Sequence, residues 1–244
     1  MEIINGVKRK TPNPTNWKFS VLRENKGATK DTIPSKADLK GRFPLCYMQR
    51  YGNCTSNAVL AIDAYYYHGN EWVPSTVFTY WIQRKLDGAL KEPDDGSTVE
   101  TALDAVRKYG ACNSKVWPNS MPYTQKPSAE AFADGLKGHE VTKYYNVKSV
   151  LQVKKAIAGG CPVACSMTWA FKSVDANGNL NTPTEKEIKK CNLGHAVVIV
   201  GYDERRIEIR NSWGTSWGNH GYAYIPYEVF KKIVWWEDTY AVRR

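Results

Sequence analysis

The chain has 244 residues, 42% of them apolar and 24% charged, which is the balance of an ordinary globular protein with a well-buried core. It contains no run of 18 or more apolar residues, no internal repeat and no low-complexity segment, which argues against a membrane span, a repeat array or a disordered chain. The formal charge is +10, but the basic residues come as scattered pairs and one short run, Lys8-Arg9-Lys10. A solvated basic surface is the reading. An acidic partner or surface stays open, and a nucleic-acid module is not expected.

Residues 1–33 are polar and carry Pro12 and Pro14, with Pro34 just beyond. They read as an N-terminal arm or short leader. Residues 1–10 have no apolar core behind their basic residues, so no secretory signal is read there, and a place inside a cell or a packaged particle is favoured over secretion. A helix is predicted to start at or beside Cys54 and to run through 55–67, a stretch rich in Ala, Val, Leu, Ile and Tyr without Gly or Pro. A second helix is predicted over 75–86. A third opens on Ser97-Thr98-Val99-Glu100, read as a capping box, and stops at Gly110. An irregular crossing spans 118–127. Ser149-Val150-Leu151-Gln152 reads as another capping box, opening a short helix that ends at Gly159-Gly160. Strands are predicted at about 162–168, 195–203, 206–211 and 221–225.

Six cysteines could make three disulfides. Cys161 and Cys165 share a face of a predicted strand by period-two alternation and read as small core residues. Cys46, Cys112 and Cys191 are isolated. A reduced chain is the simpler expectation. Cys191 with His195 lacks further ligands at zinc-like spacing, so no metal and no other cofactor is expected. His68, His139 and His220 read as surface or loop histidines.

The richest stretch is Gly194-His195-Ala196-Val197-Val198-Ile199-Val200-Gly201-Tyr202, followed by Arg210-Asn211-Ser212-Trp213-Gly214-Thr215-Ser216-Trp217-Gly218. It sets a His at the start of one apolar strand and an Asn at the end of the next. An Asn side-chain oxygen can hold one imidazole N–H and leave the other nitrogen facing a nucleophile. Cys54, in Gly52-Asn53-Cys54-Thr55-Ser56, is the candidate nucleophile.

These blocks resemble the papain-like cysteine peptidases, in a compact microbial or viral form, over roughly residues 33–228. His195 lies within, and Asn211 just beyond, the roughly 130–150-residue spacing from nucleophile to His and Asn that this family shows. The chain departs from the pattern at Tyr51, where the family has a second Cys, at Thr55, where it has an aromatic residue, and at Gly194 before the His. The resemblance implies an α+β fold of two subdomains. A peptidase domain would span 34–244, with a helical half at about 45–118 and an antiparallel, barrel-like β-half at about 128–228, and the substrate cleft between them. It also implies a Cys-His-Asn endopeptidase acting on polypeptides as a monomer. Cys54 and His195 would form a thiolate–imidazolium pair, with Asn211 orienting the ring and Trp213 shielding that bond. Gln49, one residue nearer to the nucleophile than the family has it, would give the oxyanion an amide beside the Cys54 N–H. Gly52 would allow a tight turn, and Trp217 would line the cleft. A non-catalytic binding protein of the same fold and a Cys-dependent acyl transferase are the alternatives.

Overall fold

The computed structural model describes residues 6–9, 11, 33–67, 72–137 and 143–243. Most of the arm, with Pro12 and Pro14, and the histidines His68 and His139 lie outside the described residues.

Among the described residues three helices form the framework of the first half. Helix α1 (Cys54–Tyr67) is buried from Cys54 to Tyr65, because an apolar sequence without a polar stripe has no face to give to water. Helix α2 (Thr76–Leu86) starts where the Ser75 side chain accepts from the Phe78 N–H. Helix α3 (Val99–Tyr109) is capped by Thr98, which accepts from the Thr101 N–H, and ends at Gly110 with φ 70°. The cap is therefore Thr98 and not the predicted Ser97–Glu100 box. The Ser97 hydroxyl is committed elsewhere, to Asp87 at 2.6 Å.

Among the described residues the second half is one seven-stranded antiparallel sheet, open rather than closed into the expected barrel-like form. Its strands are β1 (Ala37–Asp38), β2 (Lys143–Asn146), β3 (Val163–Thr168), β4 (Gly194–Tyr202), β5 (Arg206–Arg210), β6 (Tyr222–Pro226) and β7 (Val234–Arg243). The order is β2-β7-β3-β4-β5-β6, with β1 added to β4. Short helices α5 (Val150–Ala158), α6 (Glu185–Lys190) and α7 (Tyr227–Ile233) complete it, whereas α4 (Ala129–Gly135) packs on the helical half, where Phe132 meets Phe78 and Trp81 of α2, so the boundary expected at about 128 does not separate the two cores.

The predicted elements are present, with corrections. Strand β7 was not foreseen, although it lies between β2 and β3 and carries the sheet to Arg243. Strand β2 and helices α4, α6 and α7 were not foreseen either. Ser149 caps α5 by accepting from the Gln152 N–H, but Gln152 accepts in return from Lys148 rather than closing the predicted box on Ser149. The full reciprocal box lies at Thr184 and Glu187, at the start of α6. Cys165 is a buried core residue of β3, as expected. Cys161 is half-buried in the turn before β3, where its N–H bonds to the Ala156 carbonyl and not to a strand.

Strand β4 is the wall between the halves. Val197 and Ile199 face the core of the β-half, with Cys165, Ile209 and Phe230. Ala196, Val198 and Val200 face the other way, into a cluster with Cys54, Val59 and Ile62 of α1. A strand buried on both faces is apolar at every position, which is why 196–200 carries no polar residue. This alternation puts Ala196 toward α1 and its neighbour His195 on the opposite face.

Candidate active site

Cys54 is the first residue of α1 and is fully buried. The turn before it is held from two sides. The Asn53 amide donates to Thr76 Oγ1 at 3.1 Å, and the Gly52 N–H donates to Asp94 Oδ2 at 2.9 Å. On β4, His195 Nε2 lies 2.7 Å from Asn211 Oδ1. The amide oxygen only accepts, so Nε2 carries the proton and Nδ1 is left with a lone pair. Among the described residues that Nδ1 is buried without a hydrogen-bond partner. Trp213 lies over the ring at a centroid distance of 4.7 Å, and Trp169 meets it edge-on at 4.9 Å. Both indoles pack on the imidazole that Asn211 holds.

The Gln49 segment is fixed to the Asn211 segment by backbone and side chain. The Gln49 N–H donates to the Ser212 carbonyl at 2.8 Å, and the Gly214 N–H donates to the Tyr47 carbonyl at 2.9 Å. Ser212 Oγ donates to Gln49 Oε1 at 2.6 Å, and Gln49 Nε2 donates to the Tyr51 carbonyl at 3.1 Å. Arg210 completes the clamp from β5, donating to the Leu45 carbonyl at 2.8 Å and to Cys46 Sγ at 2.6 Å. Ser212 was not foreseen as a holder of Gln49. Nothing local marks it, since the contact depends on where residues 45–49 are laid down. Trp217 is half-buried and packs on Trp213 at 5.4 Å. The two share a cavity of about 270 Å³ with Trp169, Phe171, Val174 and Leu180. Trp169 and Phe171 were not foreseen there. His220 is exposed, in a turn with φ 54°. Cys191 Sγ donates to the Trp169 carbonyl at 3.2 Å.

The site is covered. Residues 6–9 lie across it as a short strap. The Ser97 N–H donates to the Gly6 carbonyl at 3.2 Å, and the Lys8 N–H donates to the Ser97 carbonyl at 2.9 Å, a parallel bridge centred on Val7. Val7 is buried against Gly194 and Trp235, Lys8 pairs with Asp95 at 2.7 Å, and the Arg9 guanidinium stacks on Trp235 at 4.6 Å. Gly6 lies so close to the turn before Cys54 that a methyl group added to it would sit 2.7 Å from Cys54 Sγ and 2.6 Å from the Gly52 carbonyl oxygen.

Burial changes the protonation expected of the pair. Desolvation pushes the Cys54 thiol up to about 12, although the N–H groups of Ala196, Thr55 and Cys54 itself favour the thiolate. Desolvation also pulls His195 down to about 4, against the favourable bond to Asn211. In this covered state burial disfavours the charged form of both groups, which opposes the thiolate–imidazolium pair. The physical reason is the loss of water around two groups that would each have to carry charge.

The family model for papain family cysteine proteases matches residues 89–235, more than half of the chain. The chain belongs to this family. An uncharacterised peptidase C1-like protein of Acanthamoeba polyphaga mimivirus is 29% identical over 199 residues, covering 72% of this chain and 62% of that protein. Cathepsin L of Sarcophaga peregrina is 37% identical over 137 residues, covering 52% of this chain and 39% of its own length. The chain thus spans less than two thirds of the curated relatives it matches. Among solved structures, xylellain, a cysteine protease from Xylella fastidiosa, superposes with a TM-score of 0.81 at 25% identity, covering 98% of this chain and 95% of that one. The α+β, two-subdomain papain-like fold follows from these likenesses.

Proposed function

We propose that the chain is a thiol endopeptidase that hydrolyses peptide bonds in polypeptides through Cys54, His195 and Asn211, with Gln49 in the oxyanion site. The observation that carries the reading is the His195 Nε2–Asn211 Oδ1 bond under Trp213, which fixes one tautomer and leaves a lone pair on Nδ1. With the strap lifted, that nitrogen takes the Cys54 proton, and the thiolate gains from its place at the start of α1. The sulfur then attacks the scissile carbonyl carbon. The resulting oxyanion is held by the Cys54 N–H and by the Gln49 Nε2 hydrogen not used on Tyr51. The C–N bond breaks as His195 gives its proton to the leaving amine. Water then attacks the thioester while His195 takes a proton from it, the C–S bond breaks, and the thiol is restored.

The test is iodoacetamide labelling followed by peptide mapping, paired with cleavage of a denatured protein substrate, in wild type and in a strap-displaced variant such as Gly6→Ala. In the strap-displaced variant the reading expects labelling fastest at Cys54 and cleavage that Cys54→Ala abolishes. His195→Ala should lower cleavage by about 10²–10⁴-fold, and Gln49→Ala by about 10²-fold. Labelling spread evenly over the other cysteines, or cleavage that survives Cys54→Ala, would refute it.

A further inference from the structure

Arg84 is a charged residue that the chemistry above does not use. Its side chain has no solvent exposure, although it sits in the last turn of α2. The guanidinium is spent almost wholly on one loop. Nη1 donates to the Gly96 carbonyl at 2.9 Å and to the Asp95 carboxylate, while Nη2 donates to the carbonyls of Ala89 at 2.7 Å, Glu92 at 3.1 Å and Pro93 at 2.7 Å. These two terminal nitrogens, with four hydrogens between them, meet five acceptors in one loop, one hydrogen being shared, so the fixed fork ties the loop's shape to the side chain. That loop has two products. Asp94 is presented to the Gly52 N–H of the nucleophile turn, with Tyr80 donating to its other oxygen at 2.5 Å. Gly96 and Ser97 are presented as a backbone edge, and this is the edge on which the strap is paired through the Ser97 N–H and carbonyl. An edge that pairs with one extended segment offers the same groups to another.

We infer that Arg84 is the positioning residue of a peptide-binding edge at Gly96-Ser97. It holds that edge for any extended chain in the cleft, strap or substrate, and it acts through backbone it never lets go, without touching the reacting atoms. The substrate half of this inference rests on the peptidase reading; the strap half does not.

The experiment compares wild type, Arg84→Lys and Asp95→Asn as full chains, and the same substitutions beside Gly6→Ala. In the full chains, Cys54 labelling by iodoacetamide reads how firmly the edge holds the strap and needs no turnover. Arg84→Lys keeps the charge but loses the fork, so labelling should accelerate about tenfold or more while the buried Cys112 and Cys165 stay unreactive. In the Gly6→Ala background, KM for a peptide substrate should rise about tenfold with kcat changed less than about threefold. Acceleration at all three cysteines, a fall in kcat at constant KM, or no change in either readout overturns the inference. If Arg84→Lys does not fold, Asp95→Asn decides. The Asp95 side chain is half-exposed, and the substitution removes the charge that Arg84 and Lys8 share while keeping one acceptor oxygen, so it should speed Cys54 labelling and raise KM about threefold; unchanged values overturn the inference. Absence of hydrolysis in Gly6→Ala itself would count against the peptidase reading alone and leave the strap readout standing.

Discussion

Gly6 has no side chain because there is no room for one. An added Cβ would meet Cys54 Sγ and the Gly52 carbonyl oxygen at distances that real carbons do not show. Gly6→Ala should therefore lift the strap while leaving every residue of the proposed site intact. We expect Cys54 labelling at pH 7 to rise at least tenfold, with the thermal midpoint little changed, as read by mass spectrometry and circular dichroism. An unchanged rate would mean that the strap does not control access to the thiol.

The same covered state sets a pH signature. With the Cys54 thiol at about 12, the wild-type labelling rate should climb about tenfold per pH unit through the neutral range with no acidic plateau. His195 works on stability. Its pKa in the folded chain is depressed to about 4 from an ordinary 6.5, so the unfolded chain binds the extra proton between those values. The stabilisation is complete above about 6.5 and is lost as pH falls toward 4, up to about 3 kcal/mol. A His195→Gln variant should show a flatter Tm against pH over that window; an equal slope would place the acid sensitivity elsewhere. At this scale the sequence carried much of the site. Cys54, His195 and Asn211 each stand in a distinctive local string, and Gln49 is near enough to Cys54 to be suspected. Ser212 and Arg84 were hidden, because each acts through contacts between segments far apart in the chain.

Among the elements, α3 and β7 are joined by one carboxylate. Asp238 Oδ2 accepts from the Val99 N–H at 2.9 Å and from Ser166 Oγ at 2.5 Å, and its Oδ1 accepts from the Glu100 N–H at 3.0 Å. Both oxygens thus meet donors at the start of α3, where backbone N–H groups have no partner within the helix. Asp238→Asn keeps the shape but turns an NH₂ toward one of those donors. It should cost about 1–3 kcal/mol and lower the thermal midpoint by several degrees; a neutral result would show that the helix start has another partner. The same residue explains why β7 was missed. Glu237-Asp238 interrupts the alternation of an otherwise aromatic and β-branched strand, and a buried Asp looks like a loop residue until its donors are seen. The cap of α3 was misread for a related reason: Ser97 and Thr98 are both good caps, and only the Asp87 contact withdraws Ser97. By contrast β4, apolar at 196–200, could be read directly as a doubly buried strand.

In the whole molecule, the two halves share a core rather than merely touching. The cluster that holds Cys54 also includes Leu103 of α3, Ala164 of β3, Val198 of β4 and Tyr240 of β7. No element can leave without opening that cluster to water, so the halves should unfold together. No covalent cross-link contributes, since all six cysteines are free. Stability then comes from burial and from polar links such as Gln83, which joins Thr55 of α1 at 2.9 Å to the Thr98 carbonyl before α3 at 3.2 Å. Urea unfolding tests this with two probes. Tryptophan fluorescence is weighted to the β-half, where Trp169, Trp213 and Trp217 cluster, while far-UV circular dichroism is weighted to α1, α2 and α3. The two curves should coincide, and dithiothreitol should leave the midpoint where it is. Separate midpoints would mean that each half folds on its own across a weak boundary. A midpoint lowered by reductant would mean that a disulfide carries stability here assigned to the shared core.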